Sequence, residues 1–353
     1  MTTYVRTPPD DLTRFVAAIF EAVEVPADEA RRVARSLVES NLRGHDSHGV
    51  VRVTEYVEQL GRGELAAGVA LEVINATDSL LVVDARLGFG MVQCERLIER
   101  LLPKARRQGI ACGTMRNCGH VGRLGEWVEI IARDGLAGLI SVNDNGVLKC
   151  VSPPGGIAAR ISTNPLAIGV PTSNEPMVLD MSTSAVANGK VKVAHVAGEQ
   201  CPPGWLHDAQ GNPTTDPAVR FSDPRGTLLP MGGEQGYKGF GLGLFLDFLI
   251  GGLSGGCCPP APETAPETNN VVLVVWDPEQ FWGHAHFVDE VDKLLDYVRT
   301  TPRQPGVESI RLPGDRSAAV SHERQAHGIP LDNGTWQQLV NLAAELGVDL
   351  PAV

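Results

Sequence analysis

No stretch of about 18 uninterrupted apolar residues occurs in the 353-residue chain, so a membrane-spanning helix is not expected. The first twenty residues, MTTYVRTPPDDLTRFVAAIF, carry acids and two prolines where an export signal would have its apolar centre. A cytoplasmic protein is therefore expected. Positive charge is scarce: 30 Lys and Arg face 42 Asp and Glu, for a formal charge of -12. With no basic cluster, such a surface repels a phosphate backbone, and no nucleic-acid partner is expected. Seven cysteines (Cys94, Cys112, Cys118, Cys150, Cys201, Cys257 and Cys258) form no CxxC pair and leave an odd number, so neither a disulfide framework nor a zinc knuckle is signalled. Cys257 and Cys258 read as loop residues.

Several catalytic fingerprints are missing as well. There is no GxGxxG and no GxxxxGK followed by Ser or Thr, which leaves neither a Rossmann dinucleotide motif nor a P-loop. The glycines of GFG at 88–90 and GFGLG at 239–243 lack the strand-turn-helix context and read as packing positions. GxSxG, HExxH and clustered His/Cys/carboxylate sets are absent, so no metal is expected.

What is present is an ordinary globular composition, 43% apolar and 20% charged, long enough for about two domains. Ala30, Val33, Ala34, Leu37 and Val38 recur on a helical period, and Gly44 should end that helix. Val50, Val53, Val57 and Leu60 repeat the pattern, with Asp46 or Ser47 as the expected N-cap. LEVINATDSLLVVDA then reads as a hairpin, and helices and strands alternate from GMVQCERLIERLLPKARRQG through LAGLISVND. Residues 151–235 read as long functional loops between strands at the short apolar runs LAIGV, MVLDM and VKVAHV. GYKGFGLGLFLDFLIGGLSGG is a glycine-punctuated helix, and CCPPAPETAPETNN is a loop expected to be partly disordered. VVLVVWDP should be a central strand, followed by helices in FVDEVDKLLDYVRT and TWQQLVNLAAELGV. The expected organisation is α/β: a helical domain from residues 1–70 and 285–353 enclosing a central α/β domain, 71–284.

Three constellations carry chemistry. In HDSHGVVR, residues 45–52, His48 at a helix start would be a neutral acid/base near pH 7. Ser47 is placed to hold its second nitrogen, and Arg52, one turn on, to take a substrate carboxylate bidentately. The same residues also read as a capping sequence with a surface histidine. In NCGHVG, residues 117–122, Gly119 and Gly122 permit close backbone approach to a ligand and His120 sits at a strand-to-helix turn, though a histidine packed under a turn fits equally. In LDMSTSAVANGK, residues 179–190, Asp180 ends a strand, Ser182, Thr183 and Ser184 offer hydroxyls and free N–H groups for a pyrophosphate, and Lys190 follows. An N-cap run opening a helix is the competing account.

Taken together, NLRGHDSHGVVRVTEYV, NCGHVGRLGEWVEIIARDGLAGL, STNPLAIGVP, LDMSTSAVANGKV, DAQGNPTTDP and LLPMGGEQGYKGFGLGL resemble, in order and over nearly the whole chain, the type 2 malate/L-lactate dehydrogenase family. The tail LPGDRSAAVSHERQAHGIPLDNGTWQQL looks most like its hydroxycarboxylate dehydrogenase B branch. The resemblance implies a homodimeric oxidoreductase with a non-Rossmann, mixed-sheet domain binding NAD(H) or NADP(H), acting on C2 of a small 2-hydroxy or 2-oxo acid. It implies that His48 is the proton donor with Ser47 in its relay, whereas related ureidoglycolate dehydrogenases place the proton acceptor at the position of His120. His48 is preferred because a hydroxyl and a carboxylate anchor flank it, which leaves His120 to line the cofactor or substrate pocket. The same resemblance places cofactor contacts at Asp144, Asp180, Met181, Ser182, Lys238, Gly239, Gly314 and Asp315. Asp315 departs from the family's common Glu. Lys190 replaces an aspartate of the imine-reducing branch, favouring a ketone/alcohol enzyme in which Lys190 helps polarise the oxygen. Asp144 facing a ribose would favour NAD over NADP. An imine reductase of the same family and a non-catalytic ligand-binding protein on this fold are the alternatives.

Overall fold

The computed structural model describes residues 4–351. The chain opens with β1 (Tyr4–Thr7), α1 (Pro9–Ala22) and α2 (Ala27–Leu42), and two 3-10 turns, Asp46–His48 and Val50–Arg52, lead into α3 (Val53–Arg62). The hairpin β2 (Glu72–Ala76) and β3 (Leu80–Asp84) precedes α4 (Gly90–Gln108), β4 (Ile110–Cys118), α5 (Leu124–Arg133) and β5 (Ala137–Asn143). Then come β6 (Leu166–Val170), β7 (Met177–Met181), α6 (Asn188–Ala197), the short strands β8 (Leu206–His207), β9 (Pro213–Thr214) and β10 (Thr227–Leu228), and α7 (Tyr237–Ser254). The last elements are β11 (Asn269–Trp276), α8 (His284–Arg299), α9 (Asp315–His327), β12 (Ile329–Asp332) and α10 (Asn333–Leu346).

The main sheet has seven strands in the order β2-β3-β4-β11-β5-β6-β7. Every pair is antiparallel except β3 and β4, which α4 connects as a parallel crossover. The apolar run NNVVLVVW puts β11 in the middle, as a strand buried on both faces should be. Alternation along β4 separates the two covering layers: a side chain added at Gly113 would strike Leu97 and Leu101 of α4, whereas Thr114 points to the carbonyl of Leu253 on α7.

The stripe Ala30, Val33, Ala34, Leu37 and Val38 is buried on α2. It joins Phe15 and Phe20 of α1, Leu339 and Ala343 of α10, and Val83, Met115 and Leu273 of the sheet in one continuous apolar core. β1 pairs antiparallel with β12, which joins the first described strand to the strand before α10. By contrast α8 has no buried residue.

The sequence reading differs from the structure in four places. The second helix does not begin at Asp46 or Ser47: those residues lie in the first 3-10 turn, and α3 starts at Val53 with no side-chain cap. The cause is Asn41, whose Oδ1 accepts from the N–H of Val50 at 2.8 Å and fixes the turn before a helix can form. VKVAHV is not a strand but lies in α6, where only Val191 is buried. Residues 151–235 are more than loops: Val151, Ile161, Val186, Val191, Leu206 and Leu228 form a second small core over the sheet β10-β8-β9, with apolar positions too dispersed to read as periodic. The Pro-rich loop is tied down, because Asn145 Nδ2 donates to the carbonyl of Pro266 and Asn145 Oδ1 accepts from the N–H of Cys257. Among the described residues no helix is long and apolar enough to cross a membrane.

Candidate functional site

Strand direction gathers the site at one end of the main sheet. β4, β5 and β7 finish there, at Cys118, Asn143 and Met181, and β6 and β11 start there. His120, Asp144 and the run Asp180–Ser184 are thereby carried to one edge, where loops outside strand ends are free to bear polar groups. Asn269 bridges two of these ends, accepting from the N–H of Val121 at 3.1 Å and donating to the carbonyl of Asn143 at 3.1 Å.

The His45–Arg52 turn is fixed from two sides. Asp46 accepts from Asn41 Nδ2 at 2.7 Å and from both Nη1 and Nη2 of Arg324 on α9, at 2.6 and 3.0 Å. Gly49 is required, since a Cβ there would lie 2.1 Å from Asn41 Oδ1. The turn sets His48 against His120, their rings stacked at 5.5 Å and 25°.

Ser47 Oγ lies 3.0 Å from His48 Nδ1, and Tyr56 Oη lies 2.6 Å from His120 Nδ1. Burial, then the charge of Arg52, holds the His48 imidazole down at about 4, and the same causes in the same order hold His120 well below the ordinary value. Both rings are therefore neutral at pH 7. For His48 the cause is burial rather than the start of an α-helix, because no such helix starts at this turn. His45 is likewise lowered to about 4 by burial and by Arg123 and Lys190.

Arg52 donates from Nε to the carbonyl of Ser47 at 3.0 Å and from Nη1 to Glu55 at 2.6 Å, leaving Nη2 without a hydrogen bond among the described residues. Asp180 accepts from the N–H of Gly125 at 2.7 Å, and its carboxyl is raised by burial and sits near His48 and Arg123. Lys190 is exposed at the start of α6, and the preceding Gly189 packs on Ser47, which brings the α6 N-terminus to the histidine turn.

The remaining expected contacts divide. Asp144 stands beyond β5 with both carboxylate oxygens buried and lacking a hydrogen-bond partner, and burial raises it to about 6. Ser162 and the second buried carboxylate, Asp247, are its polar neighbours. The hydroxyls and N–H groups of 182–184 are less free than their sequence suggested. Ser182 and Ser184 bond to each other and to nearby carbonyls, and Thr183 bonds twice to the carbonyl of Thr163. Met181 is half-buried against the sheet. Lys238 is exposed, with Nζ 6.0 Å from the Tyr237 ring, while Gly239 packs on the Met231 backbone. Gly314, at φ +88, turns the chain into α9 beside Val178, and Asp315 caps its own turn by accepting from the N–H of Leu312 at 2.8 Å. Gly119 and Gly122 are filled by the protein itself: Cβ atoms there would meet Leu65 and Gly88, and Met91. Their close approach is to the chain's own turns, not to open space.

Sequence reasoning missed Tyr56, which hid within an apolar helical stripe. It also missed the buried set Asn143, Asn145, Asn164, Asp247 and Asn270. Asn143 donates to Asp247 at 2.9 Å and Asn164 donates to it at 2.6 Å, while Asn270 donates to both Asn143 and Asn145 at 3.0 Å. The density of asparagines in SVNDN and ETNN was the available signal.

Comparison with known proteins agrees with this architecture. Residues 7–340 match the family model for malate/L-lactate dehydrogenase. Hydroxycarboxylate dehydrogenase B of Escherichia coli K12 is 33% identical over 96% of this chain and 93% of its own length. Malate dehydrogenase of Pyrococcus horikoshii is 32% identical over 98% of this chain and 97% of its own. The solved structure of the Pyrococcus horikoshii OT3 malate dehydrogenase superposes with a TM-score of 0.88 at 29% identity, covering 99% of each chain. These relatives are named as hydroxy acid dehydrogenases, and the match extends over essentially the full length of each. The chain belongs to the malate/L-lactate dehydrogenase family.

Proposed function

We propose that this protein transfers a hydride reversibly between a nicotinamide cofactor and C2 of a small 2-hydroxy or 2-oxo carboxylic acid, with His48 as the proton-transfer group. The observation that carries the reading is the stacked, neutral pair His48 and His120 beside Arg52 at the open end of the sheet. Arg52 offers its unused Nη2 to the substrate carboxylate, fixing C2 relative to His48. When the acid is oxidised, neutral His48 accepts the hydroxyl proton. When the oxo acid is reduced, His48 must first take up a proton, and the negative charge of a bound carboxylate raises its affinity for one. Reduction is therefore favoured by falling pH and oxidation by rising pH. Lys190 stands by the histidine turn as a cation for the developing alkoxide.

The residues present fit a nicotinamide cofactor at the Asp144 end: a buried carboxylate with two unsatisfied oxygens suits a pair of ribose hydroxyls. It would repel a 2′-phosphate, which favours NAD(H) over NADP(H). Asp180, Met181, Ser182, Lys238, Gly239, Gly314 and Asp315 border the same cofactor region in this reading, and the bound nicotinamide supplies or accepts the hydride. The division into a helical unit, 1–70 with 285–353, and a central cofactor unit, 71–284, belongs to the same proposal, as does a cytoplasmic location.

A homodimer is part of the reading. Leu246 and Ile250 of α7 are buried on the sheet and Gly239 and Gly243 pack on Met231 and Thr183, while Leu242, Phe245, Leu249 and Leu253 stand 39 to 65% exposed on another face. An apolar helix face of this kind is what a second copy would cover.

The test is NADH and NADPH consumption across glyoxylate, pyruvate, oxaloacetate, 2-oxoglutarate and phenylpyruvate, each with and without methylamine. Turnover without amine is expected. Turnover only with amine would make the protein an imine reductase.

A further inference from the structure

We infer that Tyr56 locks His120 as the tautomer protonated at Nε2, so that His120 serves the site as a hydrogen-bond donor and leaves proton exchange to His48. This inference rests on the proposed hydride transfer and assigns the two histidines of that site different work.

Tyr56 is 2% exposed, and its hydroxyl makes one hydrogen bond among the described residues, to His120 Nδ1 at 2.6 Å. A phenol has a single hydrogen, and burial keeps that hydrogen on it throughout the working pH range. If Nδ1 carried the ring proton and donated to the phenol oxygen, the O–H hydrogen would be left buried without an acceptor. If the phenol donates to Nδ1, both groups are satisfied, and an imidazole nitrogen is the better acceptor of the two. A neutral ring accepting at Nδ1 carries its proton at Nε2, the nitrogen left for a ligand.

Both rings pack against neighbours. The Tyr56 ring lies edge-on to Phe89 at 6.2 Å. The His120 ring stacks on that of His48 at 5.5 Å, and its backbone lies close against Gly90. The contrast with His48 is chemical. Its Nδ1 partner is the hydroxyl of Ser47, half-buried and on a freely rotating bond, able to donate or to accept. His48 is thus free to present either a lone pair or a proton at Nε2, as reversible proton transfer demands. His120 presents only N–H, which suits the C2 oxygen of an oxo acid or an alkoxide forming from it. Tyr56 is therefore a positioning residue, acting through His120.

The test reads the tautomer directly, in the free protein labelled with nitrogen-15 histidine, by long-range proton-nitrogen correlation. The His120 signals are assigned by their loss in His120→Gln. The expected spectrum shows Nδ1 unprotonated and Nε2 protonated, unchanged between about pH 7 and 8, since burial holds the ring's pKa well below the ordinary value and the ring stays neutral there. Tyr56→Phe should move both nitrogens toward the average of two tautomers and lower kcat/KM by a factor of about 5–30, the cost of a buried acceptor without its donor. A wild-type spectrum with the proton on Nδ1 overturns the inference, as does a Tyr56→Phe spectrum identical to wild type. The wild-type spectrum decides the matter even if that variant fails to fold. Absence of turnover with every oxo acid would instead refute the hydride-transfer reading and leave the tautomer assignment untouched.

Discussion

In the proposed reaction His48 is the proton-exchanging group, a role that suits a ring left neutral by burial beside Arg52, with Ser47 leaving its second nitrogen adjustable. His48→Ala should lower kcat by about 10²- to 10⁴-fold with little change in cofactor binding, measured by steady-state kinetics and NADH fluorescence titration. Arg52→Ala should act mainly on KM, by about 1.5–3 kcal/mol, the worth of a hydrogen bond to a charged group. Asp144 works against the fold. Its carboxyl is raised from 3.8 to about 6 by burial, so the unfolded chain releases its proton more readily. The cost is complete above pH about 6 and disappears as pH falls toward 3.8. Asp144→Asn should therefore stabilise the ligand-free protein at pH 7 by roughly 2 kcal/mol in urea unfolding, lose that advantage near pH 4, and weaken NADH binding. At this scale the sequence was informative where chemistry is local: His48, Ser47 and Arg52 lie within one turn. The link from Tyr56 to His120 spans 64 positions and could not be read from spacing.

At the scale of elements, α2 and α5 are held together by a buried charge cluster. Arg32 Nη2 donates to Glu126 at 2.9 Å, Nη1 donates to Ser36 at 3.0 Å, and the guanidinium stacks 4.9 Å from the Trp127 ring. Arg32→Ala leaves the Glu126 carboxylate buried with only the Ser36 hydroxyl for a partner and no opposite charge, and should cost about 3 kcal/mol in urea unfolding. Arg32→Met combined with Glu126→Gln removes both charges and should cost much less, which separates the stranded charge from lost packing. Helices with strong 3.6-residue stripes, α2 and α4 among them, were legible because one face is buried against a continuous core. α3 began later than expected because Asn41, on a different helix, captures the N–H of Val50. α6 looked like a strand because its valines and alanines are β-branched or small and mostly unburied, so no stripe marks it.

Across the whole molecule, the apolar face of α7 sets a prediction about assembly. Phe245, 65% exposed, touches Phe248 edge-on at 5.5 Å, and neither belongs to the face buried on the sheet. Phe245→Asp should convert a dimer to a monomer in sedimentation velocity while leaving far-UV circular dichroism unchanged, because it adds a charge only to the face a second copy would cover. An α/β centre with a central apolar strand was visible from composition and run length, but the sheet order and its single parallel pair were not, since pairing joins strands as distant as β4 and β11. The end of the sheet where β4, β5 and β7 finish emerges only from that order, and it gathers His120, Asp144 and Asp180 with His48. The most direct test of the account is transfer of label from NADH deuterated at C4 of the nicotinamide to the product of a 2-oxo acid, followed by mass spectrometry. The account predicts one deuterium at C2 of a 2-hydroxy acid, formed without any amine; label absent from C2, or found only in an N-methyl amino acid when methylamine is present, would contradict it.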